Sequence, residues 1–194
     1  MNHRVSLTTI ITIITSCFLV SCANKGLIKD VEQLMQQQIT FSSDFSIIYN
    51  GKDTTLTGFT EAPIKMVVWY DSLGCSSCEV SKMYVWKDIV SYADSLSQWF
   101  SIVYLYTPKK ESLRNVIWFL QADRFNYPIF IDQNSTFVKL NPKLPKNRQL
   151  HTFLLDKNNK VVMVGSPLYN PTLWELYKRT IQKMIANDGV LPEP

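Results

Sequence analysis

Apolar residues fall at helical spacing near the start of the chain, at Leu27, Val31, Leu34 and Met35, and predict an amphipathic helix over 27–38. The pattern then changes to period two. Phe45 to Tyr49, the dipeptide Asn50-Gly51 and Thr54 to Leu56 read as a hairpin with a tight turn. Ile64 to Tyr70 is a continuous apolar run broken by one lysine, as in a buried strand of a parallel sheet. From Cys78 to about Phe100 the pattern is helical, with Val80, Met83, Tyr84, Trp86, Ile89 and Val90 expected to face inward. Strands are predicted at Ser101 to Tyr106 and Tyr127 to Ile131, with a helix between them over Lys109 to Ala122. The segment 132–150 is polar and proline-bearing and reads as a loop. His151 to Leu155, the turn at Asn158-Asn159 and Val161 to Val164 form a second hairpin, and Pro171 to Ile185 is a closing helix with proline in its first turn.

Strands that alternate with helices imply a layered α/β sheet. Right-handed crossovers place the loop after Tyr70, which carries Cys75, at the carboxyl end of a central strand. The aromatic residues within these elements (Trp69, Tyr70, Trp86, Tyr104, Tyr106, Trp118, Phe119, Phe130, Phe153) are expected in the core.

The first residues change where this domain is expected to work. Met1 to Arg4 carries one firm positive charge, and Val5 to Val20 is an apolar stretch of 16 residues. A membrane span needs about 20 residues, so the stretch suits the apolar part of an export signal. Leu19-Val20-Ser21-Cys22 resembles the lipobox of bacterial lipoproteins, which implies cleavage before Cys22 and a lipid on that cysteine. An uncleaved signal anchor is the alternative. Either reading tethers the globular part outside the cytoplasm, in the cell envelope, facing the periplasm or the cell surface. The expected organisation is a signal peptide over 1–21, a tether and helix over 22–39, and one domain over 40–190.

A mature chain of 173 residues (194 − 21), from a sequence 46% hydrophobic and 19% charged, is long and apolar enough for one folded core. Loss of Arg4 lowers the formal charge from +4 to +3, which gives no reason to expect nucleic-acid binding. Between Asp132 and Asp156 the charged residues are Lys139, Lys143, Lys146 and Arg148, all basic; they suit either a solvated loop or a surface for an acidic partner.

Of the four cysteines, Cys17 lies in the signal and Cys22 at the lipid site, which leaves Cys75 and Cys78 in C-x-x-C spacing. A disulfide closing so short a loop constrains the unfolded chain little, which favours chemistry over stapling. At a strand-to-helix junction, the helix dipole and unpaired N–H groups favour a thiolate on Cys75. Cys75 is therefore the expected nucleophile and Cys78 the resolving thiol. Glu79, one residue on, opposes the thiolate modestly. Structural zinc wants four ligands, whereas two thiols and His151 remain after signal removal. A copper site of Cys75, Cys78 and His151 is the metal-binding alternative, because soft thiolates suit Cu(I); otherwise no metal or cofactor is expected. A histidine at the start of a strand is more often structural than functional. In this topology, however, His151 lies near the C-x-x-C turn, where it could stabilise the Cys75 thiolate.

Three stretches, Lys65-Met66-Val67-Val68-Trp69-Tyr70, Cys75-Ser76-Ser77-Cys78 and Thr152 to Val162, together resemble thioredoxin-like lipoproteins of the redoxin/TlpA type over roughly residues 40–190. The resemblance implies a thioredoxin-like fold, with a central mixed sheet flanked by helices and an N-terminal β-hairpin extension. It also implies thiol–disulfide oxidoreductase activity on exported proteins with thiols or disulfides, with electrons relayed from a membrane redox partner. The chain departs from the family's pattern in three places. Gly74 stands where the family usually has Trp. Trp69 stands where thioredoxins keep a buried acid, with Asp71 as the possible substitute. Leu150 and His151 stand where the cis-proline is expected, and a trans peptide is expected there instead. Thiol peroxidase is the enzymatic rival; Ser72 sits three residues before Cys75, but Val68 replaces that motif's proline.

Overall fold

The computed structural model describes residues 25–55, 60–72, 82–123 and 125–192. A helix α1 (25–35) is followed by strands β1 (Ser46–Tyr49) and β2 (Lys52–Thr54). Strand β3 (Ile64–Tyr70) leads to a 3-10 turn at Met83–Trp86 that continues into α2 (Lys87–Ser95). Strand β4 (Phe100–Tyr106), helix α3 (Leu113–Asp123) and strand β5 (Ile129–Ile131) come next. A short helix α4 (Thr136–Leu140), a 3-10 turn at Arg148–Leu150, strands β6 (Thr152–Leu155) and β7 (Val161–Val164), and helix α5 (Pro171–Ala186) complete the chain.

The strands form one mixed sheet in the order β2-β1-β5-β4-β3-β6-β7. Strands β3, β4 and β5 are parallel; β6 runs antiparallel to β3, and β7 antiparallel to β6. This is the expected thioredoxin-like arrangement, with the N-terminal hairpin added at one edge through antiparallel pairing of β1 with β5. The hairpin turns at Asn50 and Gly51, both at positive φ (49° and 74°), as a two-residue primed turn requires. A side chain at Gly51 would also meet the Gln121 backbone at 2.9 Å.

Chirality decides which face the helices cover. The steps from β3 to β4 and from β4 to β5 run in the same direction across the sheet, so right-handed crossovers put α2 and α3 on one face. Alternate strand residues Met66, Val68, Ile102, Tyr104 and Tyr106 point to that face and pack with Ile89, Val90, Val116 and Leu120; Tyr177, Ile181 and Met184 of α5 join them. The intervening residues Val67, Trp69, Val103, Leu105, Phe130 and Phe153 point to the other face. There Leu34 of α1, Ile39, Phe137 of α4 and Leu150 cover them.

Several expectations need correction. The pattern from Cys78 does not run on as one helix to Phe100: the 3-10 turn precedes α2, and β4 already begins at Phe100. In a 3-10 turn residues three apart eclipse, so Met83 and Trp86 are buried together while Tyr84 is 68% exposed. Met35 is also exposed, because the stripe of α1 runs through Leu27, Val31 and Leu34 and leaves the next residue off the face. Trp118 is 61% exposed, since it stands halfway round the helix from the buried Val116 and Leu120.

The polar segment 132–150 is not loop throughout: most of it stays at the surface, but it forms α4 and sends Phe137 and Leu150 into the core. Asp132 accepts hydrogen bonds from the backbone N–H groups of Thr136 (2.8 Å) and Phe137 (2.9 Å), and so holds the start of α4. Asn141 accepts from the Thr40 N–H and donates to the Thr40 carbonyl, tying this segment to the chain that follows α1. Residues that read as loop-forming are spent as caps, which is why no hydrophobic period announced the helix. Among the described residues, no helix is long and apolar enough to cross a membrane. Cys22 and residues 1–21, which carry the expected lipid anchor and signal, lie outside the described residues.

The lysine that interrupts the β3 run is buried. The Lys65 ammonium donates to the Ala62 carbonyl at 2.6 Å, and burial pulls its pKa down to about 8, against the attraction of the Asp156 carboxylate. The folded pKa lies below the unfolded one, so the unfolded chain binds more protons between about pH 8 and pH 10.5, and stability rises with pH through that window. Lys65→Met is expected to raise stability at neutral pH by about 1–3 kcal/mol. The gain over the wild type should shrink toward zero as pH approaches 10.5, as read by urea denaturation across that range.

Candidate functional site at the carboxyl end of β3

Strand β3 is paired on both sides, and its carboxyl end is where the polar groups gather. The register with β6 sets Val68 opposite Thr152, and one further backbone bond, from the Trp69 N–H to the His151 carbonyl (2.9 Å), extends the ladder. Residues opposite each other share a face, so the His151 ring stacks on the Trp69 indole with centroids 4.0 Å apart. The indole N–H donates to the Thr107 hydroxyl at 3.1 Å, and Phe137 closes the far side of the ring edge-on. Asp71 lies two residues after Trp69 and keeps to the same face by the period of an extended chain.

Arg148 reaches the same place from the other direction. It opens the 3-10 turn that ends at His151, three residues on, and residues three apart in such a turn lie one above the other. The Arg148 guanidinium pairs with Asp71 through Nε at 3.4 Å, and His151 Nδ1 stands 3.9 Å from the second carboxylate oxygen. Asp71 and His151 are buried, whereas the Arg148 side chain is 45% exposed. Asp71, His151 and Arg148 thus form one cluster.

The tautomer of His151 follows from its partners. Nε2 lies 2.9 Å from the Pro145 carbonyl, and a carbonyl only accepts, so Nε2 carries the hydrogen. In the neutral ring Nδ1 is then a lone pair. It is buried and has no hydrogen-bond partner among the described residues. Burial holds the imidazole below the usual histidine range; the Pro145 hydrogen bond and the Asp71 carboxylate oppose this, and Arg148 adds to it. Burial thus works against a charge on the His151 ring, while Arg148 brings a standing positive charge to the same cluster.

A cavity of about 200 Å³ opens over these groups, lined by Trp69, Tyr70, Trp86, Arg148, His151, Thr152, Ser166 and Leu168 among others. Tyr70 ends the strand that leads into the Cys75-Ser76-Ser77-Cys78 stretch, and Trp86 ends the turn at which the chain returns from it. Gly74, Cys75, Cys78, Glu79 and Val80 lie outside the described residues. Among the described residues no three His, Cys, Asp or Glu side chains group as a metal site. All peptide bonds in the described residues are trans, including those flanking His151, where a trans bond was expected in place of the family's cis-proline.

Sequence reasoning named Asp71 and His151 separately and treated Arg148 as one of four basic loop residues. The spacing Arg148-x-x-His151 immediately before a strand was the available signal. It gains meaning only once a 3-10 turn replaces the presumed loop.

No protein-family model matches the chain, and no curated protein does. Solved structures similar to it include a putative protein disulfide isomerase from Bacteroides thetaiotaomicron (20% identity, TM-score 0.46), with 79% of this chain and 96% of that one covered. A putative thiol:disulfide interchange protein DsbE from Chlorobium tepidum is 15% identical with TM-score 0.48, covering 75% and 98%. AhpC from Enterococcus faecalis is 10% identical with TM-score 0.47, covering 82% and 99%. The fold assignment rests on the strand order and pairing described above.

The charges around His151 predict opposite effects of two substitutions. Asp71→Asn removes the attraction that raises the His151 pKa and is expected to lower it; Arg148→Met removes the repulsion and is expected to raise it. Histidine-selective NMR titration reads both shifts, with His3 as the only other histidine in the chain.

Proposed function

We propose that this protein is a membrane-anchored, extracytoplasmic thiol–disulfide oxidoreductase that exchanges the Cys75–Cys78 dithiol and disulfide with exported proteins. The observation that carries the reading is the position of the C-x-x-C stretch. It joins the carboxyl end of β3, the strand paired on both edges within the sheet, to the turn that opens α2. In an open α/β sheet the carboxyl ends of the parallel strands are where sites form. A polar cluster and a cavity lie at that end, walled by residues on both sides of the stretch.

The chemistry is exchange through a mixed disulfide. A thiolate on Cys75 attacks a client disulfide, one client sulfur leaves as a thiolate, and Cys78 then attacks the mixed bond and releases the second. The result is a Cys75–Cys78 disulfide and a reduced client, with two electrons transferred. The reverse sequence oxidises a client dithiol. Regeneration calls for a second redox partner, for which a membrane reductase fits a lipid-anchored domain. The anchor reading rests on Leu19-Val20-Ser21-Cys22.

Two measurements test this. Cys78→Ser is expected to trap a covalent complex with a client through Cys75, visible without reductant and lost with it, whereas Cys75→Ser should trap little. Equal trapping by both variants overturns the division of roles. Failure of the wild type to reduce a model disulfide, with stoichiometric copper retained instead, favours a metal carrier. Separately, Cys22→Ala should release the protein from the membrane fraction or block its processing; an unchanged membrane pool at unchanged size refutes the lipid anchor.

A further inference from the structure

Two stretches of chain cover the sheet face that carries Val67, Trp69 and Phe153: residues 25–45, with α1, and residues 133–150, with α4. They hold all of the excess charge. The second stretch brings Lys139, Lys143, Lys146 and Arg148 and no acid; the first brings Lys25 and Lys29 against Asp30, Glu32 and Asp44. Together they carry +3, while the rest of the chain from Cys22 onward sets 13 basic residues against 13 acidic ones.

The two stretches meet at the surface. A groove of about 200 Å³ runs between them, lined by Asp30 and Gln33 of α1 and by Lys143, Pro145 and Lys146 among others. Lys25, Lys29, Lys139, Lys143 and Lys146 are all exposed. Arg148 pairs with Asp71, and the Lys139 ammonium donates to the Asn134 carbonyl. Among the described residues Lys25, Lys29, Lys143 and Lys146 make no ion pair, although Asp30 lines the same groove. Val138 and Leu140 are exposed on either side of Lys139. Lysines interleaved with exposed aliphatic side chains suit a boundary between water and hydrocarbon, because their stems lie against apolar surface while the ammonium groups stay wet.

We infer that this face is a docking surface for the bilayer that holds the anchor, with its lysines set against anionic lipid headgroups. The inference deepens the membrane-anchored reading and rests on it. Chain length favours a lipid surface over an acidic protein partner. Three residue steps lead from Cys22 to Lys25, where α1 begins, and an extended chain covers about 11 Å at most in three steps. An uncleaved anchor ending at Val20 allows five steps, about 18 Å. A lipid on Cys22 therefore holds the first turn of α1 within about one Debye length of the headgroups, and the bilayer is present whether or not a partner protein is. Each lysine brought to an anionic surface favours the docked state about fivefold, and Asp30, Glu32 and Asp44 oppose it. The opposite face, under α2, α3 and α5, is then turned away from the membrane. Arg148, two residues after Lys146, lines the cavity at the carboxyl end of β3, so docking sets one rim of that cavity beside the bilayer.

The test uses the full chain purified from the membrane fraction and reconstituted into vesicles of phosphatidylcholine, alone or mixed with phosphatidylglycerol. A water-soluble amine-reactive ester labels the lysines, and mass spectrometry reads the rate at each. On the anionic vesicles Lys143 and Lys146 should label about fivefold or more slowly than on the neutral ones. Lys87 of α2 and Lys183 of α5, exposed on the opposite face, should label alike on both. Raised salt should remove the protection, since it screens exposed charges. Replacing Lys143 and Lys146 together by Gln should return Lys139 to its rate on neutral vesicles; both sites are exposed, so the fold should be unaffected. A chain that floats with both vesicles yet labels alike on both overturns the docking face and leaves the anchor in place. A chain that floats with neither overturns the anchor and the docking face together. An acidic peptide that protects these lysines in detergent, when anionic vesicles do not, assigns the face to a protein partner and overturns the proposal.

Discussion

Strand β3 is hydrogen-bonded along both edges, parallel to β4 over seven residue pairs and antiparallel to β6 over four. Nearly everything else follows from that double pairing. Six of its seven residues are buried, which explains the near-continuous apolar run and makes the one lysine within it costly. Side chains alternate between two cores, so a slip of one residue would exchange Met66 and Val68 with Val67 and Trp69 and destroy both. Because two right-handed crossovers leave β3 and β4 in the same direction, one face receives α2, α3 and α5. The other is left to α1 and the segment between β5 and β6.

That second face explains the polar segment. A sheet face carrying Val67, Trp69, Val103, Leu105, Phe130 and Phe153 cannot remain in water, and no crossover helix is available to cover it. The chain covers it with short pieces: Leu34 from α1, Phe137 from α4, and Leu150 from the turn before β6. Short helices need caps more than they need propensity, and Asp132 and Asn147 provide them. The same construction sets the end of the 3-10 turn at His151, opposite Trp69.

The polar cluster is thus a by-product of how the second face is covered, and it lies at the carboxyl end of β3. Three residues from two distant stretches meet there because strand parity fixes Asp71, cross-strand register fixes His151, and the 3-10 turn fixes Arg148 relative to His151. With Arg148 half exposed, the ion pair itself contributes about 1 kcal/mol or less. Its importance is electrostatic: it places charge beside a buried imidazole that is bonded to a carbonyl and lies against an indole.

The sequence by itself determined the elements whose hydrophobic period is strong and local: the run from Ile64 to Tyr70, both hairpins, the closing helix, and therefore the layered α/β class with Cys75 and Cys78 following the central strand. These are legible because period two or 3.6, Asn-Gly turns and proline at a helix start act within a few residues. Tertiary structure alone decided that 132–150 contributes Phe137 and Leu150 to the core, because its buried positions answer to the sheet beneath them and not to a period of their own. It decided that Trp118, Tyr84 and Met35 face solvent, since one position along a helix separates a buried face from an exposed one. It decided, too, that Arg148 belongs with Asp71 and His151, and that burial disfavours charge on the histidine. Charge at a buried ring depends on desolvation and on partners 77 and 80 residues apart in the chain, counted from Asp71 to Arg148 and to His151, and no local pattern encodes that distance.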